Sequence, residues 1–252
     1  MGLNRNSGSL LCALTALCFS CVPAFAQNST PLSLDQLLLH LGQGAGDLHR
    51  KLPNFTCNES ALSQELEQGK VRRHATFTTT IRAQRNAKGV LEEQLGTLTY
   101  DVNVFSAIFH HAPATPLMVR GGFSQALDYF STDDQTCFDY RLSGSRIDFT
   151  SLPVEPPACK NSGTEGFALL DENSNVTHLE RTVRLEDAVA RGQIRFAAID
   201  FAPVELDGQI FRLSHHVVAE MPGDNGILRR FTADFSNCKL FTATVTIEPA
   251  TP

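Results

Sequence analysis

Four cysteines, Cys57, Cys137, Cys159 and Cys238, carry the most constrained chemistry in this chain. The other three of its seven, Cys12, Cys18 and Cys21, lie in an apolar leader at the N-terminus. None of the four forms a C-x-x-C pair, the short-range spacing that zinc sites favour, and their even number suits two disulfides. Three connectivities are open. The preferred one joins Cys137 to Cys159 across a local hairpin and loop, and Cys57 to Cys238, tying the first strand to the last. Such a long-range bridge would stabilise by roughly 4 kcal/mol through loss of unfolded-state entropy.

Histidine chemistry is less favoured by the spacing. His110-His111 and His215-His216 are adjacent pairs, and neighbours on a strand point to opposite faces, so neither pair can chelate one ion. His215 shares parity with Phe211, Leu213 and Val217 and is expected as a hydrogen-bonded residue of an apolar face. No metal and no cofactor is expected. Leu142-Ser143-Gly144-Ser145 lacks the first glycine of a nucleophile elbow, and Gly121-Gly122 begins neither a dinucleotide fingerprint nor a phosphate loop. Asp133-Asp134 and Glu92-Glu93 read as solvated turn acids. The chain is therefore read as having no catalytic residues.

Arg181 is the polar residue most suggestive of binding. It has the parity of Leu179 and Val183, which would set a guanidinium beside an apolar face where an anionic headgroup could meet it. With Phe77, Ile81, Tyr100, Phe211, Leu213, Phe231 and Phe235 it makes up the candidate ligand-binding set. Those apolar residues lie on alternating strand positions and would share one concave sheet face.

The elements that must position these residues start after residue 26. Arg5, an apolar core from Leu10 to Val22 and Ala24-Phe25-Ala26 form a signal peptide with its cleavage site. Residues 1–26 are thus read as leader and 27–252 as a single domain, exported to the periplasm or beyond, where disulfides persist. Cleavage leaves 226 residues and a side-chain charge of −7, with no run of Lys or Arg. Nucleic acid is a poor partner for such a surface, and no later segment is long and apolar enough to span a bilayer. The 17 Phe, 3 Tyr and absence of Trp suit an apolar interior better than a sugar-stacking surface. Asn28, Asn54, Asn58 and Asn175 head N-x-S/T sequons, which matter only in a eukaryotic secretory pathway.

Ser33-Leu34-Asp35-Gln36 is a capping box, and Leu37, Leu38, Leu41, Leu48 and Leu52 follow at near-helical spacing until Pro53. Gly42, Gly44 and Gly46 weaken that helix by ~1 kcal/mol each, so it needs packing to persist. From Phe55 the period becomes two, with Val71, Ala75, Phe77 and Ile81 on one face, then Leu98 to Val104. A short helix is expected at Ala126 to Phe130, and a hairpin at Cys137 to Phe149 around Ser143-Gly144-Ser145. Further hairpins are expected around Glu172 to Asn175 and Asp207-Gly208, and a last long strand pairs Phe231, Ala233, Phe235 and Phe241 to Ile247 on one side. The fold class is α+β, mostly β: a strongly curved antiparallel meander, or half-barrel, covered by the N-terminal helix and the short internal one. A closed barrel is the alternative.

Several segments, in one order, resemble an uncharacterised family of exported proteins common in acidobacteria: Leu52-Pro53-Asn54-Phe55-Thr56-Cys57, Gly121-Gly122-Phe123, Cys137-Phe138-Asp139-Tyr140, Arg146-Ile147-Asp148-Phe149, His178 to Val183, Phe201 to Leu206 and Phe231 to Ser236. More distantly, a helix followed by a meander is similar to the periplasmic lipoprotein-carrier superfamily, which sorts outer-membrane lipoproteins and holds apolar cargo in a curved sheet beneath helices. The resemblance implies an exported binding module holding a lipid or other hydrophobic small molecule. The competing reading is an envelope module with a filled core whose partner is another protein. Oligomeric state and ligand identity are left open by the sequence.

Overall fold

The structure is a computed structural model in which residues 32–100, 117–119, 122–123, 125–153, 159 and 163–241 are described. The chain divides into Met1–Pro31 and Leu32–Pro252, and only the second unit contains described residues. The expected leader, the end of the 98–104 strand and the chain past Phe241 lie outside them.

Helix α1, Leu34–Lys51, begins as the capping box requires: the Gln36 amide donates to Ser33 Oγ, and the Gln36 side chain accepts from the Ser33 amide. Leu37, Leu41, Ala45 and Leu48 form its buried stripe. Gly42 is a contact point. A Cβ there would lie 2.9 Å from Gln135 Nε2 and 3.2 Å from the Phe130 carbonyl, so glycine lets the helix close on the segment beneath it.

The strands are β1 (Phe55–Glu67), β2 (Lys70–Arg85), β3 (Leu91–Leu95), β4 (Thr99–Tyr100), β5 (Phe138–Ser143), β6 (Arg146–Ser151), β7 (Thr164–Leu170), β8 (Val176–Val183), β9 (Phe196–Leu206), β10 (Gln209–Pro222) and β11 (Ile227–Leu240). They form one open antiparallel sheet in the order β3-β2-β1-β11-β10-β9-β8-β7-β6-β5, with β4 also on β2. Gln68-Gly69 and Asp207-Gly208 both have positive φ at two successive residues, the turn geometry that matches strand twist in tight hairpins. Because β11 pairs with β1, the last strand closes back on the first in the middle of the sheet. The expected half-barrel is present and not closed.

Both expected disulfides are formed, Cys57–Cys238 and Cys137–Cys159. The first sits where the β1–β11 register slips between Thr56 and Asn58, beside Asn237 at φ 51°.

Four features differ from expectation. The helix at Ala126 to Phe130 is instead two 3-10 turns, Asp128–Phe130 and Gln135–Cys137, because Ser131, Thr132 and Asp133 interrupt the pattern with side-chain and turn hydrogen bonds. A second helix, α2 (Leu185–Arg191), lies between β8 and β9; its signals are Glu186 and Asp187 in the first turn and left-handed Gly192 after the last. His215 is hydrogen-bonded as expected, its Nδ1 3.1 Å from the Phe235 carbonyl oxygen, but it is exposed, since the β9–β10 register slips by one between Ser214 and His216. Likewise Val71, expected inside, is 48% exposed beyond a slip at Glu65/Leu66.

The inner face carries Phe55, Cys57, Ala61, Phe77, Ile81, Phe149, Phe231 and Phe235, all buried in one core cluster. β4 is at one end of the sheet and β5 at the other, and the described residues between them that pack on the core cluster are Leu117, Met118, Val119, Phe123, Ala126, Leu127, Tyr129 and Phe130. Phe123 packs edge-on to Phe55 and Phe235, and Tyr129 and Phe130 pack on Phe149 farther along. Together with α1, these described residues pack over the inner face.

Candidate functional site

A surface cleft of about 300 Å³ opens between α1 and the ends of β8 and β10. Leu41, Ala45 and Leu48 of α1, Leu127, Val176 and Phe211 line it, and all but Ala45 belong to the core cluster or pack against it. The cleft is therefore a surface extension of the core, in the low part of the size range of ligand pockets. Ile210 is left 74% exposed on its rim, and the space facing Gly44 is open to beyond 4 Å. His40, Lys51 and Arg212 supply basic groups around this apolar floor. Lys51 Nζ lies 2.8 Å from Asp47 Oδ2, and Arg212 is paired with Asp171, whose carboxylate also closes the β7–β8 turn through the Asn173 and Asn175 amides.

α1 is held at the other end of this seam by polar contacts. Arg85 donates to the carbonyls of His49 and Leu52, capping the helix C-terminus where carbonyls lack partners, and His49 Nε2 is 2.8 Å from Asp128 Oδ1. These fix the helix over the sheet and so fix the width of the cleft.

The residues of the expected ligand face do not converge on one cavity. Phe77, Ile81, Leu213, Phe231 and Phe235 are buried in the core, from 0 to 5% exposed. Only Phe211 lines the cleft. Tyr100, registered with Phe77 across β2–β4 and 6.1 Å from its ring, is 40% exposed at the sheet edge. Arg181 lies between buried Leu179 and Val183, opposite Gly166; it donates to the Ile194 carbonyl at 3.1 Å, and its guanidinium is 6.0 Å from the Tyr129 ring.

Sequence reasoning missed Glu59. It shares the inward parity of Phe55, Cys57 and Ala61, is 3% exposed, and its Oε2 has no hydrogen-bond partner. Thr79, its register partner on β2, is also buried, with an unpartnered Oγ1. Burial, and then the charge of Glu93, pushes the Glu59 carboxyl up to about 7. The alternation that placed Phe77 and Ile81 inside could have placed both.

On the outer face, strand register lines up His178, Asp200, His216 and Asp234 across β8, β9, β10 and β11. His178 Nδ1 is 2.6 Å from Asp200 and His216 Nδ1 is 2.7 Å from Asp234. Neither imidazole bonds a serine or cysteine among the described residues, so no nucleophile is set against these pairs.

No family model matches the chain, and no curated protein does. Among solved structures the chain is similar to a LolA superfamily protein from Nitrosomonas europaea, with 9% identity and a TM-score of 0.36 over 82% of this chain and 94% of that one. It is also similar to a DUF1329 family protein from Desulfovibrio piger, with 15% identity and a TM-score of 0.37 over 83% and 92%. A lipovitellin structure described for its lipid–protein interactions matches at 13% identity and TM-score 0.29, over 79% of this chain but 27% of that one. No helix among the described residues is long and apolar enough to cross a membrane.

Proposed function

We propose that this chain is an exported binding module that holds a single-chain lipid or similar amphiphile. The observation that carries this reading is the cleft beneath α1: an apolar floor continuous with the core, a rim of paired charges and an exposed Ile210 beside it. Its volume suits one acyl chain better than a multi-chain lipid; Lys51 and Arg212 on its rim are neutralised by Asp47 and Asp171, so the apolar floor rather than a head group carries the affinity. Two disulfides fit a protein matured in an oxidising compartment. The eight residues expected from the sequence contribute Phe211 to this site, while the five buried ones form the core against which its floor rests.

Gly44 provides the decisive variant. Gly44→Leu places a side chain into open space on a helix face, so the fold is kept while the cleft is filled. Native mass spectrometry of the protein purified from its own envelope fraction should show a mass excess released as lipid on denaturation, and Gly44→Leu should lose it. A bare mass in both, together with a stable protein partner in a pull-down, would establish the envelope interaction module instead.

A further inference from the structure

Two stripes of α1 border the cleft. Leu41, Ala45 and Leu48 belong to its apolar floor, while His40, Gly44, Asp47 and Lys51, at successive turns of the helix, form a wall at the water's edge. From His40 to Lys51 the helix rises about 16 Å, so the two residues mark opposite ends of that wall. Of the charged side chains around the cleft, all but His40 are already paired. Asp47 holds Lys51 and Arg50, each at 2.8 Å. Arg212 is paired with Asp171, whose carboxylate also accepts from the Asn173 and Asn175 amides, so drawing the guanidinium away would leave a fixed carboxylate uncompensated. Ser174, Asn175 and Gln209, the other polar residues described along the cleft, carry no charge. His40 is exposed, and among the described residues no hydrogen bond or ion pair engages its ring.

We propose that His40 selects the head group of the amphiphile in this cleft, so that the site prefers a carboxylate-headed chain to a neutral one only while the imidazole is charged. This role presupposes that the cleft is the binding site, and it adds the chemical class of the ligand and a condition for taking it. Imidazole is the side chain that changes charge between pH 5 and pH 8, and an aliphatic carboxylate is ionised from pH 6 upward. The floor offers the same apolar contact to either head. The difference between heads therefore comes from the one basic group on the rim that has no carboxylate of its own. The acids around His40, Asp47 on its own helix and Asp171 across the cleft, are each engaged by an ammonium or guanidinium group and leave it free to meet a ligand carboxylate. An exposed ion pair of this kind changes affinity by only about three- to fivefold. The other histidine of α1 beside this seam, His49, does not line the cleft and is 2.8 Å from Asp128, so its titration can be separated from that of His40 by substitution.

Decanoate and 1-decanol, of equal chain length and different head, are the probes, titrated calorimetrically into the disulfide-bonded protein at pH 6 and at pH 8. Decanoate should bind about three- to fivefold more tightly at pH 6, and decanol equally at both. In His40→Gln the preference for decanoate over decanol at pH 6 should fall to its pH 8 value. His40→Lys, which is charged at both pH values, should keep the high preference at pH 8 as well. A wild-type preference that is the same at both pH values overturns the role of His40, as does a pH dependence that survives in His40→Gln and so belongs to His49 and Asp128. In either case, decanol binding that is lost in Gly44→Leu leaves the cleft standing as the binding site. If both probes bind Gly44→Leu as tightly as the wild type, the cleft is not the site, and His40 has no head group to select.

Discussion

The two ends of the sheet are covered by the described residues in different ways. At the β5–β6–β7 end the cover is aromatic and hydrogen-bonded throughout: Tyr129, Phe130, Phe138, Tyr140 and Phe149 pack ring against ring, and the Tyr140 hydroxyl donates to the Tyr129 carbonyl. Gly166 lets β7 and β8 press onto this cluster, since a Cβ there would lie 2.2 Å from the Glu180 carbonyl and 2.6 Å from the Phe149 ring. The Cys137–Cys159 bridge pins the same end. At the β1–β2–β3 end the described ring over the sheet is Phe123, and Glu59 Oε2 and Thr79 Oγ1 are buried there without a hydrogen-bond partner. Among the described residues, one end is packed by a cluster of five rings and the other by fewer rings beside two unsatisfied buried oxygens. Local stability in proteins is commonly uneven in this sense, with binding surfaces drawn from the weaker part.

The largest effect tests that asymmetry directly. Phe149→Ala should cost about 3–5 kcal/mol, because its neighbours are locked by disulfide, glycine contact and hydrogen bond and cannot collapse into the void. Phe123→Ala removes the same ring from a segment able to settle onto the sheet and should cost no more than about half as much. Urea denaturation of both variants with disulfides intact would show it. Equal losses would mean that the two covers are equally integral to the core.

Next in size is the pH response. Glu59 binds its proton more tightly folded than unfolded, with its pKa raised from 4.5 to about 7. Its contribution to stability is therefore complete below pH 4.5 and is lost as pH rises through 7. The fall between those limits should be on the order of 3 kcal/mol. Glu59→Gln should flatten that slope and be the more stable protein at pH 8. A wild-type stability that rises across the same interval would place the carboxyl in a solvated or paired setting.

Legibility in the sequence followed the same division. The Ser33–Gln36 capping box, the Asp207-Gly208 hairpin and the strand alternation are local signals, and each produced its element where expected. The disulfides were legible once β1 and β11 were taken as first and last strands, since their adjacency makes Cys57–Cys238 possible. What failed was parity across slips of register. His215 and Val71 obey the alternation of their own strands, yet a one-residue bulge, invisible without the partner strand, sends each to the surface. The site was less legible still. Phe77, Ile81, Phe231 and Phe235 were recognisable as inward-facing, but whether inward means cavity or filled core depends on residues from elsewhere in the chain. Glu59 was overlooked because an acid between apolar neighbours reads as polar punctuation, although its parity is that of Phe55 and Ala61.

The smallest predicted effect concerns the helix that joins the two ends, and it separates two glycines that look alike in sequence. Gly44 faces open space, so Gly44→Ala should gain up to about 1 kcal/mol from helix propensity alone. Gly42 faces Gln135, whose amide nitrogen is already committed to the Leu38 and Phe130 carbonyls at 2.7 and 2.8 Å and cannot swing away. Gly42→Ala must therefore push α1 off Gln135, and the propensity gain should be reversed into a net loss. Thermal melts of the two variants would show opposite shifts. A stabilising Gly42→Ala would mean that α1 yields against the aromatic end as readily as it leaves room at the cleft, and the distinction between tight and loose packing would no longer hold along the helix.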